Sequence, residues 1–171
     1  MSRKIMVIFS VLVVGILNYG VYEKEQIKKN GETLLLELAP VDPRSLMQGD
    51  YMRLRYALEA DIFTEELESH QKRGYMVISP DENNVAKFVR FHKKEDLSTD
   101  EKLLHFHQQY GTVRIVPDSF LFQEGHAEYY ETAKYGVFKF DDSGNHILVG
   151  LADENRQQII VTDIENNDRE L

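Results

Sequence analysis

Gly49-Asp50-Tyr51-Met52-Arg53-Leu54-Arg55-Tyr56 is the stretch from which the rest of the chain can be read. It follows the turn-rich segment Pro40-Val41-Asp42-Pro43-Arg44-Ser45. Gly49 tolerates positive φ and Asp50 can accept hydrogen bonds from nearby backbone amides, so the pair marks the start of an element. From Tyr51 onward the pattern alternates. Met52, Leu54, Tyr56 and Leu58 fall on one face, and Tyr51, Arg53, Arg55, Ala57 and Glu59 fall on the other. Period two is the mark of a half-buried strand.

A second stretch, from Val116 through Pro117-Asp118-Ser119-Phe120-Leu121-Phe122 to His126, repeats the turn-then-apolar design. The segments 42–56 and 116–130 share a faint order of Pro, Ser, apolar pair and aromatic, which reads as a trace of internal duplication.

Residues 49–56 match the pattern Gly-Asp-Tyr-x-x-Leu-x-Tyr without departure, and Leu38 to Leu46 and Val116 to Ala127 agree as well. On these residues the chain resembles the GDYXXLXY family of bacterial membrane-anchored proteins. The resemblance implies a single N-terminal span carrying a small extracytoplasmic domain, often in the company of a multi-span membrane protein. It implies no activity, cofactor or catalytic residue.

The 171 residues suit one domain of ordinary size plus an anchor. A formal charge of −9 argues against nucleic acid as a partner, because phosphate binding needs a dense basic face. With no cysteine, the chain has no disulfide, thiolate metal site, cysteine nucleophile or lipoprotein anchor.

Eighteen residues from Ile5 to Tyr22 carry no charge and follow Arg3-Lys4. A membrane-spanning helix needs about 20 apolar residues, with a range from about 17 upward. The rival, a cleaved signal peptide, lacks a small-x-small site after the apolar run. Tyr19 and Tyr22 read as interface anchors. Arg3 and Lys4 on one side nearly balance Lys24, Lys28 and Lys29 on the other, so charge leaves the orientation open. The family resemblance implies a cytoplasmic N-terminus.

Beyond the span, Asn30-Gly31 is a helix stop, and 33–38 reads as a strand. Asp61 can cap a helix running to about Lys72 and ended by Gly74. Residues 75–78 and 85–91 form a hairpin around Pro80-Asp81-Glu82-Asn83-Asn84, and 103–107 pairs with 112–116. A short helix is expected over 127–134. Strands at 137–140, 147–151 and 158–162 follow, separated by turns at Asp141 to Gly144 and Asp153 to Arg156. The fold class is therefore mainly β (α+β): an N-terminal transmembrane helix, then a β-rich antiparallel domain with two short helices, for which a partly closed barrel is one arrangement. The division is 1–30 for the cytoplasmic tip, anchor and stalk, and 31–171 for the domain. A stalk of nine residues, about 14 Å at 1.5 Å per residue, keeps the 40–45 loop near the membrane unless the first strand carries it outward.

The residues with chemistry are few. Arg44, Gly49, Asp50, Tyr51, Arg53, Arg55 and Tyr56 are the motif and partner-binding candidates, with Asp50 read first as a turn residue. His105, His107, Glu124 and His126 are the candidates for a metal, although Leu104 and Phe106 claim the inward face and leave the histidine pair toward water. A serine protease of the type I signal peptidase class fails for want of a serine ahead of Pro43 and a lysine base downstream. Phe120 and Phe122, like Phe138 and Phe140, read as core.

These readings favour a non-enzymatic domain without cofactor, anchored in the bacterial inner membrane through residues 5–22 and exposed to the periplasm. Its partner is expected to be a multi-span membrane protein. The alternatives are a metal-assisted hydrolase acting on envelope material and a sensor module that binds peptide or glycan.

Overall fold

The computed structural model describes residues 3–40, 51–61, 72–109, 112–141 and 143–161. Helix α1 (Arg3–Asn30) opens the chain. Its apolar side chains from Ile5 to Tyr22 are bare, with Ile8, Val11 and Leu17 each about two-thirds exposed. The helix is long and apolar enough to cross a membrane. Asn18, a polar residue in the run, donates its side-chain amide to the Val14 carbonyl at 2.8 Å, which satisfies one of its donors within the helix. The helix stops where expected. The Gly31 amide bonds the Ile27 carbonyl at 2.9 Å, and Lys28 and Lys29 stand against the negative end of the helix dipole.

Nine strands and two one-turn helices follow among the described residues: β1 (Glu32–Glu37), β2 (Tyr51–Arg53), α2 (Leu58–Asp61), β3 (Arg73–Pro80), β4 (Ala86–Phe91), β5 (Lys102–Gln109), β6 (Thr112–Ile115), β7 (Ser119–Leu121), α3 (Ala127–Tyr130), β8 (Tyr135–Phe140) and β9 (His146–Ala152). They form three antiparallel sheets, ordered β1-β8-β9, β2-β7 and β4-β3-β5-β6, which include a half-barrel. Two isolated bridges tie the sheets together, Leu35 to Val85 and Leu38 to Tyr56.

One core lies between them. Leu34, Leu36, Phe138, Phe140 and Leu151 meet Met76, Ile78, Leu104 and Phe106, and the motif adds Met52, Leu54 and Tyr56. Leu35 points the other way into a smaller cluster with Val85, Val137 and Ala152. That second cluster is why 34–36 is an unbroken leucine run rather than an alternation.

Three turns use one device. The Oδ1 of Asp81 accepts from the amides of Asn83 and Val85, that of Asp141 from Ser143 and Asn145, and that of Asp153 from Asn155 and Gln157. In each turn the residue three after the Asp has positive φ: Asn84 at 59°, Gly144 at 83° and Arg156 at 64°. An aspartate that satisfies two amides replaces the ladder bonds lost where the chain reverses.

Several expectations need correction. Gly74 ends no helix: it lies inside β3, opposite Phe106. The helix near Asp61 begins earlier, at Leu58, and the expected stretch 62–71 falls outside the described residues. The expected 127–134 helix is a single turn. After β9 there is no further strand among the described residues. Gln158 makes one bridge with Ala152, and Ile159 reaches the Leu151 carbonyl. Ile159 and Val161 still pack on the core, while Ile160 is left bare.

Candidate functional site

The motif strand is held by its backbone. β2 pairs with β7, the second turn-then-apolar stretch, setting Tyr51 opposite Leu121, Met52 opposite Phe120 and Arg53 opposite Ser119. Beyond the last pair, the Leu54 amide bonds the Asp118 carbonyl, the Ala39 amide bonds the Arg55 carbonyl, and the Ala57 amide bonds the Glu37 carbonyl, each at 2.8–2.9 Å. The alternating face reads as expected: Met52, Leu54, Tyr56 and Leu58 are all buried. Among the described residues the regular strand nevertheless covers only Tyr51–Arg53, and the chain turns at Ala57 into α2.

Burial changes the standing of two side chains, one ending the motif and one just after it. Tyr56 is a core residue and is not available to a partner. Its hydroxyl donates to the Pro117 carbonyl at 2.7 Å, and its ring meets Phe138 edge-on at 5.8 Å. Burial, with Glu59 and Asp118 nearby, drives its phenol well above the usual range. Glu59, expected to face outward, is buried because α2 rotates it inward. Its Oε2 accepts from Arg114 at 2.9 Å and its Oε1 from the Ile115 amide at 3.0 Å. Desolvation raises its carboxyl above the ordinary carboxylate range, against the lowering effect of those two donors. No signal near Glu59 in the sequence points to Arg114, which lies 55 residues away.

Arg53 and Arg55 remain exposed on the outer face. With Arg114 they line a polar cleft of about 470 Å³, whose walls are completed by Tyr51, Leu54, Gln109, Asp118 and Ser119. The same two arginines also border a smaller cavity of about 200 Å³, beside Glu37, Pro40, Met52, Glu131 and Lys134. Arg44, Gly49 and Asp50 lie outside the described residues. The flanks of their loop do not stay near the anchor. β1 runs from Glu32, next to α1, to Glu37, next to the motif, which separates the two by about 17–20 Å at 3.3 Å per residue.

The histidine constellation does not assemble. Among the described residues no group of three or more His, Asp or Glu side chains could hold a metal ion. His107 stands opposite Arg73 on β3 and Arg114 on β6, neighbours that repel a cation. His105 meets Tyr75 edge-on, and burial pushes its imidazole pKa down, with Arg73 and His107 acting in the same direction. Glu124 is exposed, and His126 precedes α3, against Tyr129. A half-buried imidazole that the sequence did not single out is His146. It stacks on Phe140 at 5.2 Å, with its ring nitrogens 3.4 Å and 3.2 Å from the Gly144 and Val116 carbonyls. Burial lowers its pKa.

A single long apolar helix that leads into an antiparallel β domain, with a short motif strand framing an arginine-lined cleft, defines the class. Within that class, the family model described as GDYXXLXY protein matches residues 13–151, and the chain belongs to the GDYXXLXY family. No curated protein and no solved structure matches it.

Proposed function

We propose that this chain is a membrane-anchored accessory domain of the bacterial inner membrane that works beside a multi-span membrane protein, with the residues from 31 onward in the periplasm. One observation carries this reading: α1 is bare from Ile5 to Tyr22, yet its last turn is fastened to the β domain. Bare apolar surface of that extent must be covered by lipid tails or by other helices. The fastening consists of Ile27, which is buried, and Lys139, whose ammonium donates to the Gly31 carbonyl at 3.0 Å. Such a joint holds the domain in a set attitude to the bilayer, as a subunit docked on a neighbouring membrane protein requires. A freely tethered domain needs no such joint. The hydrolase alternative has no metal-holding group among the described residues to support it.

The test uses the full-length protein. A reporter active only outside the cytoplasm, fused after Leu171, is expected to be active, and mild-detergent extraction is expected to bring down one polytopic protein in constant ratio. A mature chain that begins beyond Tyr22 would refute the anchor, and an inactive reporter would refute the orientation. Isolation of the intact chain alone, even after cross-linking in the membrane, would remove the accessory role.

A further inference from the structure

We propose that the cleft framed by β2, β6 and the turn into β7 binds a small ligand through an oxyanion group, a carboxylate or a phosphate. The inference is independent of the anchor. It begins with three guanidinium groups, those of Arg53, Arg55 and Arg114, brought to one cavity from segments some 60 residues apart. In a chain of formal charge −9 such a convergence does not follow from composition.

The three do not have the same duty. Arg114 is already engaged by Glu59, and Glu59 is fixed by the Ile115 amide, so this pair sets one wall of the cleft. Arg53 and Arg55 have no carboxylate within 4.0 Å among the described residues. They sit two residues apart in an extended segment, with the buried Leu54 between them, so both project from the same face. Hydrogen bonds from the Leu54 amide, to the Arg55 carbonyl and from the Ala57 amide hold that backbone, and the forks start from a fixed base. A guanidinium fork matches the spacing of two oxygens on a carboxylate or phosphate, and its charge cannot be titrated away.

The rest of the lining narrows the ligand. A volume of about 470 Å³ lies within the range of small-molecule sites. Gln109 and Ser119 offer further polar contacts. Asp118, the acidic residue among the described residues of the lining, repels an anion placed beside it and suits a hydroxyl or ammonium donor. The cleft therefore fits a small acid or phosphate that also carries a donor group. The bland alternative is that Arg53 and Arg55 are solvated surface charges, which predicts no saturable binding at all.

The experiment is calorimetric titration of the full-length protein in detergent with sodium phosphate, sodium malate and hexaglutamate, each against sodium chloride of equal ionic strength. Saturable binding of phosphate or malate is expected. Phosphate alone would assign a phosphate group, and malate alone a hydroxylated carboxylate. Arg53→Gln/Arg55→Gln is expected to weaken that binding at least tenfold while leaving the unliganded melting temperature unchanged. Arg53→Lys/Arg55→Lys, which keeps the charge without the fork, is expected to fall between. Absence of saturable binding to both small anions, or binding undiminished in the glutamine pair, overturns the proposal. Binding of hexaglutamate alone overturns it as well, in favour of an acidic segment of a partner protein.

Discussion

The two ends of β1 are built on opposite principles. At the Glu32 end the chain meets its anchor, and the contact is mostly apolar and backbone: Ile27 buried, Gly31 against Phe140, and one lysine on a carbonyl. At the Glu37 end it meets the motif, where backbone bonds hold a segment whose outer face carries Arg53 and Arg55, beside Arg114 of β6 on a buried glutamate. The first end surrounds a cavity of about 380 Å³ with acidic and amide side chains, among them Glu23, Gln26, Glu32 and Asp141, and the joint beside it is suited to holding. The second gathers three arginines at one cleft and is suited to binding. A shared core lies beneath both, because Tyr56 and Phe140 each pack against Phe138.

That shared ring is where the contrast can be broken most severely. Phe138 is fully buried and touches Tyr56, Phe140 and His146. Phe138→Ala is expected to cost about 3–5 kcal/mol, the usual range for removing a buried aromatic ring. Both ends should lose structure together in a single thermal transition of the full-length protein. Two separate transitions would mean that the ends are independent units and that no common core joins them.

A smaller change should separate the ends. A Cβ on Gly31 would run into the Ile27 carbonyl oxygen and stand 2.8 Å from the Phe140 carbonyl oxygen, and neither backbone atom can move aside cheaply. Gly31→Ala is expected to cost about 1–3 kcal/mol, as overpacking does, and to spend it on the joint. The chain has no cysteine, so a pair introduced at the exposed Glu23 and Glu154 can carry spin labels without interference. The distance distribution between them should broaden in the Gly31→Ala background, with anion binding at the cleft unchanged. A distribution as narrow as that of the parent would show that the close approach at Gly31 does not set the attitude of the domain.

What could be read in advance follows the same division. The joint is local: Asn30-Gly31 stops a helix by its own chemistry, and the structure ends α1 there. The three aspartate turns were legible for the same reason, since the bonds run from each Asp to residues two and four further on. The inward face of the motif was legible because period two survives wherever one side is buried. The cleft was not. Arg114 and Glu59 meet only because β6 passes α2, and no short-range pattern encodes a contact between positions that far apart in sequence. The assignment of Glu59 to the outer face failed at Ala57, where tertiary context turned a run of strand-like alternation into one turn of helix. The histidine pair was legible as a same-face pair of β5, but not its neighbours, since Arg73 and Arg114 come to stand opposite His107 from β3 and β6.

The finest test concerns the last residue of the motif, where structure and recognition could still be confused. Tyr56 ends the octapeptide, and a tyrosine in such a position could serve a partner with its hydroxyl. In the structure that hydroxyl is spent on the Pro117 carbonyl, 61 residues on, and so ties the motif to the turn that leads into β7. Tyr56→Phe keeps the ring, its packing on Phe138 and the shape of the core, and removes one hydrogen bond. The expected loss is about 0.5–1.5 kcal/mol, seen as a lower denaturation midpoint with an unchanged slope, because the surface exposed on unfolding is the same. Arg53→Gln, its neighbour on the opposite face, should do the reverse and leave the midpoint alone. If Tyr56→Phe instead melts like the parent while copurification of a membrane protein or anion binding seen with the parent is lost, the hydroxyl must leave Pro117 to do its work. The boundary between the holding face and the binding face would then run through Tyr56 itself.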